Sequence, residues 1–481
     1  MNYVPVIGLE IHAELLTKSK LFCSCAAEFG GERNSRCCPG CAAMPGTLPV
    51  MNRAAVEYAV LAGFALDCSI NKFSVFDRKN YFYPDLPKAY QNSQLALPLC
   101  INGLVAIEYE SDGVKKSKDI RINRIHLEED AGKLIHDDLN GVSLADYNRG
   151  AIPLIEIVTE PDIGSAEEAK AFVEKIILTL QYAGVCDCKM EQGSLRCDVN
   201  ISIMKPTDTK LGTRAEIKNL NSIKSIGRAI EHEIYRQSKL LDAGKRVVQE
   251  TRRFDDNKGE TKSMRSKENL DDYRYFPDPD ILQVNFTDED LAEIKSRLPE
   301  MPYARLDRYI NKFGLSEVEA KIIVNQKRLS DFYEDALRAY HNPKSVCNFI
   351  TGELMRRINL GEINLEKLPF TASALAKLAE MADNEAVSKN DAKAIFRIMS
   401  DEGGAPEEIA KAKGLLITND TGKVAEVIER VIADNEKAVL QYQGGDMKVF
   451  GFLMGQCSKE LKGVCTPKVI KEELEKKLKG A

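Results

Sequence analysis

No stretch of eighteen apolar residues occurs in the 481-residue chain, so no membrane span is expected. The basic and apolar segments of a secretory leader are also missing. Met1-Asn-Tyr-Val-Pro5 runs straight into a strand-like pattern, which points to the cytoplasm. There is no Gly-x-x-x-x-Gly-Lys-Ser/Thr loop and no Gly-x-Gly-x-x-Gly fingerprint, which sets aside P-loop and dinucleotide-type phosphate binding. A Gly-x-Ser-x-Gly elbow is absent too. With only five histidines, and none near a reactive Cys or Ser, no hydrolytic triad is visible. Internal repeats and low-complexity tracts are lacking. What remains is a soluble globular composition, 44% hydrophobic and 29% charged, on a chain too long for one ordinary core. The net charge of −6 argues against non-specific coating of nucleic acid, although from Asp446 onward eight Lys face five Asp and Glu, a local +3. Thirteen cysteines in a large cytosolic chain point to metal or incidental thiols rather than disulfides.

The patterning predicts an α+β protein. Strands are expected at 4–15, 69–76, 102–110, 118–128, 152–158, 194–204, 213–218 and 246–254. Helices are expected at 52–68, from the Ser165-x-x-Glu168 capping box to about Ala183, and from Ser222 to about Asp242. Runs of strands with segregated helices favour a largely antiparallel sheet. Asp255–Lys262 reads as a mobile polar loop. Beyond about Asp288 the spacing is helical, in short pieces broken by Pro299, Pro302, Gly314, Pro343, Gly361 and Pro369. The resulting division is 1–290 as an α+β domain, 291–411 as an all-α domain and 412–481 as a small helical tail.

Val4–Leu15 is the most informative segment. Its two-residue period sets Leu9, Ile11, Ala13 and Leu15 on one face and Gly8, Glu10, His12 and Glu14 on the other. Carboxylates and an imidazole on one strand face are costly to bury without a cation among them. Arg121–Lys133 carries a similar row in Arg124, His126 and Glu128, and beside 8–14 it would bring Glu128 to Glu10 and His12 as oxygen and nitrogen ligands for a divalent ion. Ser194–Ile203 and Thr213–Asn221 add Arg196, Asp198, Asn200, Arg214, Glu216 and Lys218. One such strand is an ordinary solvated face. Four together favour a polar concave sheet with metal and phosphate ligands. Arg78, Lys79 and Lys88 lie among five aromatics in Phe76–Gln91, and Glu250–Phe254 with Arg252 opens a second cation-rich region.

Cys23-x-Cys25, twelve residues, then Cys38-x-x-Cys41 supplies two thiolate pairs on short turns, the spacing of a closed structural zinc site. Unmetallated surface thiols are the alternative. Cys37 is a spare fifth thiol, and the scattered cysteines at 68, 100, 186, 188, 197, 347, 457 and 465 read as buried or incidental.

Several blocks then resemble one family from end to end, the B subunits of bacterial aspartyl/glutamyl-tRNA amidotransferases. They are Gly8–Leu15, Leu48–Asn52, Arg78–Gln91, His126–Lys133, Met190–Asn200, Glu216–Ser222, Tyr273–Asp280 and Gly451–Gln456. The resemblance implies a cradle similar in fold to glutamine synthetase, followed by the helical domain and a tRNA-binding tail. It implies ATP-dependent phosphorylation of the side-chain carboxylate of Glu-tRNA(Gln) or Asp-tRNA(Asn). Ammonia from a glutaminase A subunit then gives the amide, and a small C subunit completes a heterotrimer. By the same resemblance Glu10, His12 and Glu128 hold Mg2+, and Lys79, Arg196 and Arg252 meet ATP. Glu129, Asp198 and Glu216 serve as further metal or ammonia-path groups, and Lys448, Lys459, Lys462 and Lys468 contact tRNA. Gln192 stands where the family often has Glu and is left out of the site. A non-catalytic tRNA-binding scaffold and a free-standing amide ligase are the rival readings. The intact Glu10, His12, Lys79 and Glu128 speak against the first, and the basic tail against the second.

Overall fold

The computed structural model describes residues 3–480 apart from 138, 267–269, 418–420 and 462–463. The chain divides into two compact units, Met1–Pro302 and Tyr303–Ala481. The first is built on a mixed but mainly antiparallel sheet. Its strands and the neighbouring short ones are β1 (Val4–Glu14), β2 (Ser69–Ile70), β3 (Asp77–Asn80), β4 (Tyr90–Ser93), β5 (Cys100–Ser111) and β6 (Val114–Glu129). They continue with β7 (Pro153–Thr159), β8 (Leu195–Met204), β9 (Ala215–Lys218), β10 (Glu250–Asp255), β11 (Glu260–Ser266) and β12 (Phe276–Pro277). Nine strands form the main sheet in the order β11-β10-β9-β8-β1-β7-β6-β5-β2, and β12-β3-β4 form a small one.

The alternation of β1 decides which face is covered. Ile7, Leu9, Ile11 and Ala13 are at most 1% exposed. They join Ile125, Leu127, Ile155, Ile157, Val199, Ile201 and Ile217 in one core with helices α1 (Arg53–Ala65), α2 (Ala166–Ala183) and α3 (Ile223–Asp242). Each large aliphatic side chain buried this way is worth roughly 1.5–3 kcal/mol. The three helices therefore lie on the apolar face, and the polar face is left for chemistry. The parallel pair β9–β10 needs a crossover, and α3 supplies it.

Local signals explain the helix starts. Asn52, Ser165 and Ser222 each cap a helix, accepting from Ala54 N, Glu168 N and Ser225 N. The Ser165 box is not reciprocal. The Glu168 carboxylate accepts instead from Gly164 N at 2.7 Å and pairs with Lys118 at 2.8 Å, tying α2 to β6.

Three features differ from expectation. First, β7 lies between β1 and β6, which are therefore not neighbours. Second, the polar run after Asp255 is the turn of the β10–β11 hairpin. Gly259 N donates to Asp255 O at 2.8 Å with φ +68°, and Lys262 pairs with Asp255 at 2.7 Å. Third, the helix Asp288–Ser296 belongs to the first unit: Ile294 enters its core, and Arg297 pairs with Glu57 at 2.9 Å.

The second unit is helical. Its helices begin and end at the breakers, as where Pro343 opens a helix behind an Asn342 cap and Gly361 turns at φ +71°. A tyrosine pair packs one layer, Tyr309 on Tyr333 with ring centroids 5.1 Å apart. Thr421–Asp434, Glu436–Gln443, Lys448–Glu460 and Pro467–Gly480 close around a separate apolar cluster that includes Val424, Ile428, Leu453, Leu461 and Leu474. Among the described residues no helix is long and apolar enough to cross a membrane.

Candidate active site

Strand register assembles the polar face in rows. Asp198, Glu10, Val158 and Arg124 lie opposite one another across β8, β1, β7 and β6. One step along, Arg196, His12, Glu156 and His126 form the next row. Directly opposed residues share a face, so both rows look away from the helices.

Two metal-competent donor sets result. Glu10, Asp198 and Glu216 each offer an oxygen, all within 4.8 Å of one another, and His12, Glu128 and Glu156 do the same with one nitrogen and two oxygens. In the first set Lys218 lies 2.5 Å from Asp198 and 3.1 Å from Glu216, Thr251 donates to Glu216 at 2.8 Å, and Asn200 donates to Glu10 at 2.9 Å. Burial, then repulsion from Glu156, Asp198 and Glu216, raises the Glu10 pKa against the pull of Lys218. Three carboxylates held this close with one lysine leave an excess of negative charge that a divalent cation would satisfy.

The second set contains two imidazoles around shared carboxylates. His12 Nε2 is 3.5 Å from Glu156 and 3.9 Å from Glu128, while His126 Nε2 is 3.1 Å and 3.6 Å from the same two. Ser93 Oγ donates to Glu128 at 3.1 Å. Burial works against the charge on Glu156, yet His126 foremost and then His12 hold it well below the usual carboxylate range. Burial likewise opposes charging of His126, but Glu156 and Glu128 push its pKa up to about 9.

The expected single set of Glu10, His12 and Glu128 is thus redistributed. Because β7 intervenes, Glu10 goes with Asp198 and Glu216, and Glu156 completes the other set. Sequence reasoning missed Glu156, whose signal was a lone carboxylate in the buried run Pro153-Leu-Ile-Glu-Ile-Val-Thr159. His126 was seen as a face residue but not as a partner of the two glutamates.

Lys79, on β3, is half-buried with its ammonium 5.0 Å from the Tyr273 ring and 5.9 Å from that of Tyr81. Burial disfavours its charge, but Glu128 and then Tyr275 and Glu156 outweigh that and raise its pKa. It is a cation kept charged at the edge of the second set. Neighbouring Arg78 is a structural clamp: its guanidinium binds Asp278 and Asp280, each at 2.7 Å, and lies 4.3 Å from the Tyr90 ring.

The other expected site residues are placed as follows. Arg196 is on the polar face but engaged by Asp130 at 2.6 Å, with Arg149 at 3.6 Å from the same carboxylate. Glu129 points away from the two sets; it takes Lys88 and accepts from Asn92 N at 2.8 Å, beside a cleft of about 310 Å³ that also meets Phe22, Cys41 and Tyr90. Arg252 is a correction to the ATP-contact expectation. The Arg252 side chain is 10% exposed, pairs with Glu250 and lies 3.5 Å from Glu233. It donates to Thr261 Oγ1 at 3.0 Å and to Thr261 O at 2.8 Å. It therefore rivets the β10–β11 hairpin onto α3. On that strand the polar face is shared by Thr251, opposite Glu216, and exposed Arg253, opposite Lys218.

The sulfurs of Cys23, Cys25, Cys38 and Cys41 lie within 4.8 Å of one another. The Cys41–Cys38 separation is 3.9 Å, close to the edge of a tetrahedron with 2.3 Å metal–sulfur bonds. Cys37 Sγ is 3.7 Å from Cys41 but stands outside the four-sulfur set. Lys20, fully buried, places Nζ 3.8 Å from Cys41 Sγ and donates to Tyr147 O at 2.9 Å. A buried lysine aimed at sulfur fits a site that carries negative charge, and the cluster could hold a metal. In the second unit Lys448, Lys459 and Lys468 are exposed, whereas Lys462 lies outside the described residues.

Comparison with known proteins adds to this geometry. A family model described as the GatB/GatE catalytic domain matches residues 5–292, and one described as the GatB domain matches residues 331–478. A protein of Ruminiclostridium cellulolyticum, named as the B subunit of an aspartyl/glutamyl-tRNA(Asn/Gln) amidotransferase, is 54% identical over 99% of this chain and 98% of its own. Proteins of the same name from Thermoanaerobacter pseudethanolicus and Carboxydothermus hydrogenoformans are 50% and 46% identical, each over 99% of this chain and over 100% and 99% of their own.

Proposed function

The chain belongs to the B-subunit family of aspartyl/glutamyl-tRNA(Asn/Gln) amidotransferases, and from that membership we propose how its polar sheet face works. It is a glutamine-dependent ligase subunit that forms carbon–nitrogen bonds in making Gln-tRNA and Asn-tRNA. The first unit is read as a glutamine-synthetase-like cradle. On its open face, ATP phosphorylates the side-chain carboxylate of Glu-tRNA(Gln) or Asp-tRNA(Asn). The carboxylate oxygen attacks the γ-phosphorus and ADP leaves. Ammonia then attacks the acyl carbon, inorganic phosphate departs, and loss of a proton leaves the amide.

The observation that carries this reading is the pair of donor sets sharing β1, Glu10–Asp198–Glu216 and His12–Glu128–Glu156. Their oxygen-rich chemistry fits Mg2+, with the imidazole also compatible with manganese. Bound there, the metal would neutralise phosphate charge as it develops. Protein groups have little covalent work in phosphoryl transfer and act by position and charge. Lys218 pairs with Asp198 and Glu216, Lys79 presents a fixed positive charge beside Glu128, and the Tyr81–Tyr273 pair narrows its surroundings. Arg196, bound to Asp130, stands opposite His12 in its row and is a positioning residue in this scheme.

Zn2+ fits the four thiols, as their spacing and buried Lys20 support, and it would hold the Cys23–Cys41 loop closed without taking part in the reaction. Glu129 and its cleft are assigned to ammonia passage from a glutaminase A subunit, with a C subunit completing the complex. Lys448, Lys459 and Lys468 are assigned to the tRNA backbone. The enzyme is read as cytoplasmic. The test is reconstitution with A and C partners, glutamine, ATP and Mg2+ on either mischarged tRNA. Amide should form with ATP consumption, and no amide with either tRNA overturns the reading.

A further inference from the structure

Cations on the polar face are for the most part committed. Lys218 holds Asp198 and Glu216, Arg196 holds Asp130, and Lys79 faces Glu128. Arg124 is arranged differently. It lies in the Glu10 row, one strand beyond Val158, and is half-buried. Its Nη1 donates to Asn123 Oδ1 at 3.2 Å, while its Nε is buried with no acceptor. A guanidinium Nε always carries its proton, so this atom is a donor awaiting an oxygen.

Two further observations converge there. The β7–β6 ladder shifts register between Val158 and Thr159, which leaves Asn123 as an extra residue beside Arg124. Such bulges re-aim side chains next to active sites. His126, two residues along the same face and 4% exposed, leaves Nδ1 without a partner while its Nε2 meets Glu156 and Glu128. Buried unsatisfied nitrogens at successive positions of one strand face, beside two carboxylate sets, are costly unless a ligand completes them.

We infer that Arg124, with His126 beside it, forms an anion subsite on the β6 side of the polar face that takes a non-bridging phosphoryl oxygen of the nucleotide. The subsite rests on the ATP-dependent reading above. It lies across β1 from Lys218, so the donor sets are flanked by a cation on each side. The nucleotide phosphate would then be held from the β6 side by Arg124, while Lys218 stays with Asp198 and Glu216. Arg124 carries no covalent role; it orients the phosphate and offsets its charge.

The test uses the reconstituted complex with ATP, and separately mischarged tRNA, as probes. Arg124→Gln should raise the KM for ATP roughly 10- to 100-fold, the loss of one charge-assisted hydrogen bond. Its tRNA affinity and the partner's glutaminase rate should stay unchanged. Arg124→Lys keeps the charge without the fork and should fall between wild type and Arg124→Gln. An unchanged ATP KM in folded Arg124→Gln overturns the subsite, as does weaker tRNA binding with an unchanged ATP KM, which would assign the oxygen to the nucleic acid. Should Arg124→Gln not fold, Arg124→Lys decides by the same comparison. Wild-type complex that consumes no ATP would instead fail the underlying reading.

Discussion

Removing Arg78 should unfasten the small sheet that carries Lys79, and the size of the effect follows from the clamp. Asp278 has 1% side-chain exposure and accepts from Arg78 Nε at 2.7 Å, Asn92 Nδ2 at 2.6 Å and Asp280 N at 2.8 Å. Breaking one partner of a buried pair costs about 3–5 kcal/mol. Two donors remain on Asp278, which favours the lower end, while the lost Tyr90 contact adds back about 1 kcal/mol. Arg78→Met should therefore destabilise the first unit by about 3–4 kcal/mol, read from the urea midpoint of its unfolding transition. Asp278→Asn should also destabilise, and the double variant should fall short of the sum by about 2 kcal/mol.

The pH dependence has a fixed sign. Burial opposes ionisation of Asp278, but Arg78 and the two other donors hold its pKa below the usual carboxylate range. A depressed folded pKa contributes stability that is present above the unfolded value of about 4 and lost as pH falls through the lower folded value. The gap between wild type and Arg78→Met should narrow in that acid window and nowhere above it. A coupling energy under about 0.5 kcal/mol, or a gap that persists below the window, would refute the clamp.

Other outcomes are expected on the same basis. Glu10→Gln should abolish amide formation while tRNA binding survives; loss of both together would recast β1 as structural. Arg252→Ala should cost about 1–3 kcal/mol through its lost bonds to Thr261, since Glu233 keeps Arg236, Gln237 and Thr261, and the ATP KM of folded protein should not move, whereas a large KM rise would return Arg252 to the nucleotide. Metal analysis should find about one zinc bound per chain through the four thiols; Cys41→Ser should lose it and melt earlier, and a metal-free wild type of full stability would end the zinc assignment. Replacing Lys448, Lys459 or Lys468 with Gln should lower the salt slope of tRNA binding by about 0.7–0.9 per phosphate contact, and an unchanged slope would mark that lysine as an ordinary surface group.

Alternation made much of the first unit legible. Leu9, Ile11 and Ala13 against Glu10 and His12 announced both the buried and the chemical face, and Asn52, Ser165 and Ser222 marked where helices begin. Strand order was not legible, because local pattern carries no information about which strand sits beside which. That is why Glu128 was assigned directly to Glu10, and why Glu156, a single carboxylate in an apolar run, passed unnoticed. Arg252 failed for a related reason. In Glu250–Asp255 charged and apolar residues do not alternate cleanly, and burial on the α3 side could not be read from a strand containing two adjacent arginines. The thiol loop was legible from spacing alone, but Lys20, the buried cation beside it, was not, since a lysine in a loop ordinarily signals solvent.

Because Glu10 and His12 are alternate residues of one strand, the two donor sets are spaced by covalent geometry, about 7 Å of backbone rise, and not by the conformation of any loop. Distances set by loops can be tuned by insertion or drift, and this one cannot. A single residue added between Glu10 and His12 would turn every side chain beyond it to the opposite face, sending His12 toward the helices while Glu10 stayed with its set. The separation therefore acts as a fixed gauge built into the chain, and any substrate that engages both sets must conform to it.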